Sequence, residues 1–140
     1  MDWIFQSNPK YYDLPAAVGE LSEIPWSVKQ NADQIHVGDT VYLWESGSKA
    51  GIVAVSHVAT EPAMLSGEDD RAFHRDKQRF ASDELRVRVR IDNVLPQRIL
   101  RSTLLDDPIL KDLLIIRRPQ GTNFKLTDEQ AAELEKLVRF

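Results

Sequence analysis

The chain has 140 residues, a hydrophobic fraction of 42% and a formal net charge of −4. That is enough for one domain with a real core, residues 1–140, and too apolar for a disordered tail. The absence of cysteine excludes disulfides, thiol nucleophiles and thiolate metal sites, and fits a cytoplasmic location. No apolar run reaches the length of a membrane span, and Met1–Lys10 carries no signal-peptide pattern, so no membrane association is expected. The negative total argues against a uniformly basic nucleic-acid binder. It leaves room for a local basic face.

Trp3-Ile4-Phe5 predicts a short strand that ends at Ser7-Asn8-Pro9, where Pro9 holds Asn8 away from the helical region. Tyr11 to Leu21 has weak helical periodicity, and Pro15 fits only in a first turn. Ser22 to Gln30 contains Pro25 before Trp26, which predicts an extended loop carrying a large aromatic. Gly38 to Val58 reads as a hairpin: Val41 to Trp44, a Ser46-Gly47-Ser48 turn, then Ile52 to Val55. Its small residues Ala50 and Gly51, with Trp44 near the strand end, are expected at the floor of a pocket.

Ala59 to Ser82 is the least regular stretch, with a helix expected over 69–80 that aligns Phe73, Lys77 and Phe80. Leu85 to Ile91 alternates strictly, predicting a strand with Leu85, Val87, Val89 and Ile91 on one face and Arg86, Arg88 and Arg90 on the other. Same-face residues then lie about 6–7 Å apart, from a rise of roughly 3.3 Å per residue, close to the spacing of phosphates on an extended strand. A solvated face with the arginines paired to acids is the plainer alternative. Pro96 to Leu114 predicts a short helix with Ser102 as N-cap, and 114–116 a strand. Arg117 to Thr122 is a basic loop, and Thr127 with Gln130 forms a capping box that opens a last helix.

Many short strands with dispersed helices predict an α+β fold, a mixed sheet curled into a small barrel with helices at its edges. An open ferredoxin-like sheet is the second choice. Chemistry-bearing constellations are poor. His36, His57 and His74 lack ligand-like spacing, and Ser46 to Gly51 lacks the Gly-Lys-Ser/Thr and following helix of a phosphate loop. Neither an enzyme nor a cofactor is expected.

Five stretches together carry a resemblance: Trp3 to Asp13, Trp26 to Gln30, Gly38 to Trp44, Ser46-Gly47 with Ala50-Gly51-Ile52, and Gln120-Gly121-Thr122 with Phe124. Over essentially the whole chain they resemble the EVE domain, a member of the PUA-like superfamily. More distantly the chain is similar to the YTH domain, at Gln6-Ser7-Asn8, Pro25-Trp26-Ser27 and Ser46-Gly47…Gly51. The resemblance implies a PUA-like pseudobarrel whose pocket accepts one flipped-out, modified base, such as 5-methylcytosine. It implies Trp26 as a cage wall, a backbone contact at Ser27, and base or sugar contacts at Ser7 and Asn8. Phe73 or Phe80 stands where YTH domains carry a second cage tryptophan, and Thr122 belongs to a loop matched in EVE domains alone.

The chemistry of reading a base fits these residue types. Stacking on an aromatic face contributes about 1–3 kcal/mol per base, and burying one methyl adds roughly 0.8 kcal/mol. Ser7, Asn8 and Gln30 offer donors and acceptors for a base edge. The expected base pocket comprises Ser7, Asn8, Trp26, Ser27, Gln30, Trp44, Ala50, Gly51, Phe80 and Thr122. Arg79, Arg86, Arg88, Arg90, Arg117 and Arg118 are the expected phosphate contacts. The expected partner is nucleic acid with a modified base, DNA slightly preferred over RNA, with a fused or separate effector such as a restriction ATPase or nuclease. An RNA-modification reader and a regulatory domain for a nucleoside-like small molecule are the alternatives.

Overall fold

Trp3-Ile4-Phe5 and Val41 to Trp44 show no polar alternation, so strands built from them must be covered on both faces. The computed structural model, which describes residues 1–139, shows how. β1 (Asp2–Ser7) pairs in parallel with β3 (Thr40–Glu45), and β3 pairs antiparallel with β4 (Gly51–Val58). β4 lies against the long β6 (Glu84–Leu100), which also takes β2 (Glu23–Ser27) and β5 (Ala63–Leu65). β7 (Asn123–Lys125) closes the other edge against β1. The order is β2-β6-β4-β3-β1-β7, with β5 beside β6. The sheet is mixed and curled, with helices at its flanks, as expected for a PUA-like pseudobarrel.

Side-chain parity divides the interior. Trp3, Phe5, Val41 and Leu43 point to one side, where α1 (Leu14–Glu20) supplies Leu14, Ala17 and Val18. Ile4, Tyr42, Trp44 and Ile52 point to the other, covered by α2 (Arg101–Leu105), α3 (Leu114–Arg117) and α4 (Asp128–Val138) through Leu104, Ile115 and Leu134. A register shift after Leu43 adds bend to the β3–β4 pair. The Trp3 indole N–H donates to Asp39 Oδ2 at 2.9 Å, and so does the His36 amide, so one buried carboxylate fixes the entry to β3.

Several expectations are corrected. Trp26 sits in β2, not in a loop: Pro25 is accommodated on an edge strand, where its missing N–H costs no ladder bond. The helix expected over 69–80 is a single 3-10 turn, Arg71–Phe73, because the segment is held by side chains and not by its own ladder. Pro96 to Leu100 continues β6, and α2 begins after Leu100 without a Ser102 cap. Residues 114–116 are helical, their apolar side facing the second core. The capping box at Thr127 and Gln130 forms as expected, and Pro15 lies in the first turn of α1, capped by Asp13.

The alternating face of β6 is also not uniform. Arg86 is 2% exposed, among the most buried large side chains of the protein. Its guanidinium donates to the carbonyls of Leu65, Phe80 and Ser82 and lies 3.2 Å from Glu84. It therefore clamps the irregular segment 66–82 onto the sheet. Gly67 allows the closure: a Cβ there would stand 2.9 Å from the Phe80 carbonyl oxygen and 3.3 Å from Arg86. Arg88 pairs with Asp69 and Arg90 with Glu23, as the plainer reading of the stripe anticipates.

Two predictions follow from the packing. A Cβ on Gly51 would lie 2.2 Å from the Ile99 carbonyl oxygen, a backbone atom that cannot swing away. Gly51→Ala is expected to cost about 1–3 kcal/mol in urea unfolding, through forced separation of β4 and β6. Arg86→Met leaves the Leu65, Phe80 and Ser82 carbonyls without this donor and is expected to cost about 1–3 kcal/mol in all. Limited proteolysis of that variant is expected to cut first within 66–82, before global unfolding.

Candidate functional site

The first core does not close at the end of the sheet where β2 and β6 begin to part from the 66–82 segment. A cavity of about 670 Å³ opens there, within the range of small-ligand sites. Its floor is Ile24, Pro25 and Trp26 from β2. Trp26 is 6% exposed, and its ring stands 6.1 Å from that of Phe5, tilted by 41°. The tryptophan is thus anchored in the core and shows the cavity only a small part of its surface. It does not plug the space.

The wall opposite β1 is aromatic. Phe80 stacks against His74 at 4.6 Å between centroids and meets Tyr12 edge-on at 5.9 Å. Behind them lies a buried polar cluster. The Tyr12 hydroxyl donates to Asp70 Oδ2 at 2.7 Å, and His74 Nε2 lies 2.9 Å from Asp70 Oδ1. Burial, reinforced by the Asp70 charge and the hydrogen bond to it, pushes the Tyr12 phenol well up, so it stays a donor. These bonds fix the Tyr12 and His74 rings, against which Phe80 packs without a regular helix beneath it. Among the described residues no buried side-chain nitrogen or oxygen lacks a partner.

The third wall is polar. Ser7, at the end of β1, and Asn8 after it reach the cavity, where the Asn8 side-chain oxygen accepts from the Lys10 amide at 2.9 Å. Gln6 holds the neighbouring loop, donating to the carbonyls of Pro119 at 2.9 Å and Gly121 at 2.7 Å. Gln30 lies behind the lining and accepts from the amides of Thr122 and Asn123 at 2.9 and 3.0 Å. Asn123, 3% exposed, accepts from the Lys29 amide and donates to the Ser27 carbonyl, tying the end of β2 to β7. Thr122 and Gly121 thereby line the rim.

At the mouth stands Glu84. Its carboxylate accepts from the Ser27 hydroxyl and lies 2.9 Å from Lys29 Nζ. Burial pushes the Glu84 carboxyl up, but hydrogen bonds from Ser27 and Lys29 and the Arg86 charge outweigh it and leave it below its ordinary value. Arg79 lines the cavity too, its guanidinium carbon 3.9 Å above the Tyr11 ring.

The structure therefore gathers Ser7, Asn8, Trp26, Ser27, Phe80, Thr122, Arg79 and Arg86 around one space, with Gln30 immediately behind. It does not bring Trp44, Ala50 or Gly51 there. Trp44 is in the second core, Ala50 packs against that core, and Gly51 is crossed by the β6 backbone. From the hairpin, Ser46 alone reaches the lining. Arg117 and Arg118 are exposed beside the Pro119–Thr122 rim. Tyr12, Asp70, His74, Lys29, Glu84 and Asn123 complete the site. The Asp70–His74 spacing of four residues was the one visible sign of a local pair; the rest meet through long-range pairing.

The comparisons agree with this fold. A Leishmania major protein shares the fold with a TM-score of 0.72 at 13% identity, covering 99% of this chain and 94% of its own. A Pseudomonas syringae protein gives 0.72 at 15% identity, covering 98% and 99%. Human THYN1, solved in complex with 5-methylcytosine-containing DNA, gives 0.69 at 14% identity, covering 99% and 98%. No curated protein matches the chain. The EVE domain family model matches residues 2–137, and the chain belongs to the EVE domain family.

Proposed function

We propose that this chain is a non-enzymatic binding domain that reads a modified base in nucleic acid, with DNA containing a modified cytosine as the favoured partner. The observation that carries the reading is the cavity itself. It is large enough for one base, backed by Trp26 and Phe80, and edged by Ser7, Asn8, Ser27 and Thr122. A base inside a duplex cannot reach such a cavity, so the target is taken out of the stack. The DNA complex of human THYN1 supports DNA as the first partner to test. Stacking supplies affinity without base choice, while the buried polar edge supplies choice, because a mismatched base leaves those groups unpaired.

The phosphate contacts proposed are Arg79, Arg117 and Arg118, which stand at the cavity or beside its rim. Arg88 and Arg90 lie on the outer face in ion pairs and add a weaker, screened contribution. Arg86 acts from beneath, by holding Phe80.

A free nucleoside is the second reading. The net charge of −4 and the pairing of the β6 arginines limit attraction to a polyanion, while the cavity volume suits a nucleoside alone.

The deciding experiment is a binding panel of short single- and double-stranded DNA and RNA, each with cytosine or 5-methylcytosine, with the free nucleosides alongside. Methylated DNA is expected to bind about fourfold tighter than unmodified, the worth of one buried methyl. Equal affinities for methylated and unmodified strands would sink the reading, and nucleoside binding without strand binding would favour the second. Phe80→Ala is expected to weaken methylated DNA by about tenfold or more, the loss of one stacking face. Arg79→Gln and Arg117→Gln are each expected to lower the slope of log affinity against log salt by about one. Unchanged slopes would remove them from the phosphate path.

A further inference from the structure

The cavity mouth carries an ion pair with hydrogen-bonding capacity to spare on both partners. Glu84 Oε1 is fully engaged, by the Ser27 hydroxyl and by Arg86 at 3.2 Å. Oε2 takes one bond, from Lys29 Nζ at 2.9 Å, and keeps a second lone pair. Lys29 uses one of its three N–H groups in that bond. Both residues line the cavity, beside Ser27 and Trp26. The result is an acceptor and a donor side by side at the edge of a space sized for a base.

That pairing complements one class of base. Cytosine presents an amino donor next to a ring-nitrogen acceptor, and adenine does the same. Thymine and uracil present a carbonyl next to an N–H, the opposite order. We infer, resting on the base-reading function above, that Glu84 and Lys29 form the edge reader of this cavity. Glu84 accepts from the exocyclic amine of a cytosine- or adenine-type base, Lys29 donates to the adjacent ring nitrogen, and keto bases are rejected. A thymine there faces the carboxylate with its own carbonyl oxygen, and both acceptors lose their water without gaining a donor. Ser27 and Arg86 fix the carboxylate in place, so the order of acceptor and donor is set before the base arrives. The lowered Glu84 carboxyl pKa keeps it in the acceptor-only form at neutral pH.

The test uses four labelled single-stranded DNAs that differ only at one central base: cytosine, 5-methylcytosine, uracil and thymine. This square separates the methyl from the amino group. The intact chain is expected to prefer the amino member of each pair by about tenfold, the low end of base discrimination by paired hydrogen bonds. Glu84→Gln offers an amide that serves either base order, so the amino-to-keto ratio is expected to fall to about twofold or less while the methyl ratio persists. Lys29→Met, at a half-exposed position, is expected to lower the same ratio without touching the fold. An amino-to-keto ratio unchanged in both variants overturns the inference and leaves Glu84–Lys29 a structural ion pair. A methyl ratio of one, with an amino ratio that Glu84→Gln abolishes, upholds the edge reader and overturns modified-base reading. The absence of any ratio in the intact chain overturns both.

Discussion

Everything on the binding side of this molecule depends on one buried guanidinium. Arg86 shares the face of β6 that carries Arg88 and Arg90, but unlike them it is roofed over and 2% exposed. Taking an arginine out of water is unfavourable unless its hydrogen-bonding capacity is met. Here it is met by the Leu65 carbonyl at the end of β5, by the Phe80 and Ser82 carbonyls of a segment with almost no ladder of its own, and by Glu84. The exchange serves both sides. The charge gains fixed partners, and the segment 66–82 gains the anchor that its sequence cannot supply through helix formation. Phe80 becomes a wall because its carbonyl is held, and Glu84 becomes a fixed acceptor because Arg86 and Ser27 hold one of its oxygens.

The two-sided core explains why the cavity lies where it does. With both faces of β1 and β3 covered, neither face of the central sheet is free to bind anything. Space remains at the end of the first core, where β2 is short, β5 has three residues, and the chain between β5 and β6 runs without regular structure. Side chains from four separate stretches converge there, each fixed by bonds to another: Gln6 to the 119–121 carbonyls, Asn123 to the end of β2, Asp70 to Tyr12 and His74. A site made this way is stiff although most of its walls are loops, which suits discrimination between bases that differ by one group.

β1, β3, β4, the first half of β6, the final helix and its cap are legible because they rest on local signals: β-branched and aromatic runs, strict alternation, and the Thr127–Gln130 box. The errors have a common physical source. Pro25 points to a loop around Trp26, yet an edge strand has a side with no ladder to break. Spacing points to a helix over 69–80, yet the Tyr12–Asp70–His74 bonds and Arg86 outweigh helix propensity in that stretch. Alternation showed that Arg86, Arg88 and Arg90 share a face; it carried no information that the first of them is roofed over. Likewise the small residues of the hairpin point to a pocket floor, but the space beside Gly51 is taken by the backbone of Ile99, forty-eight positions away, on the side opposite the cavity.

The charge arrangement adds a last consequence for a base reader. Arg88, Arg90 and Arg98 are each met by an acid, at Asp69, Glu23 and Glu45, and the chain is acidic overall. Paired surface cations displace few counterions from a nucleic acid, so sequence-independent attraction is weak and falls quickly with salt. With less of the affinity coming from phosphates, a larger share must come from the cavity, and contacts inside the cavity are the ones that depend on the base. On the proposed function, this distribution gives up residence on bulk nucleic acid and gains contrast between a matching base and the many that do not match. That contrast depends on walls that are paired before the base enters, and Arg86, Asp70 and Asn123 supply those bonds.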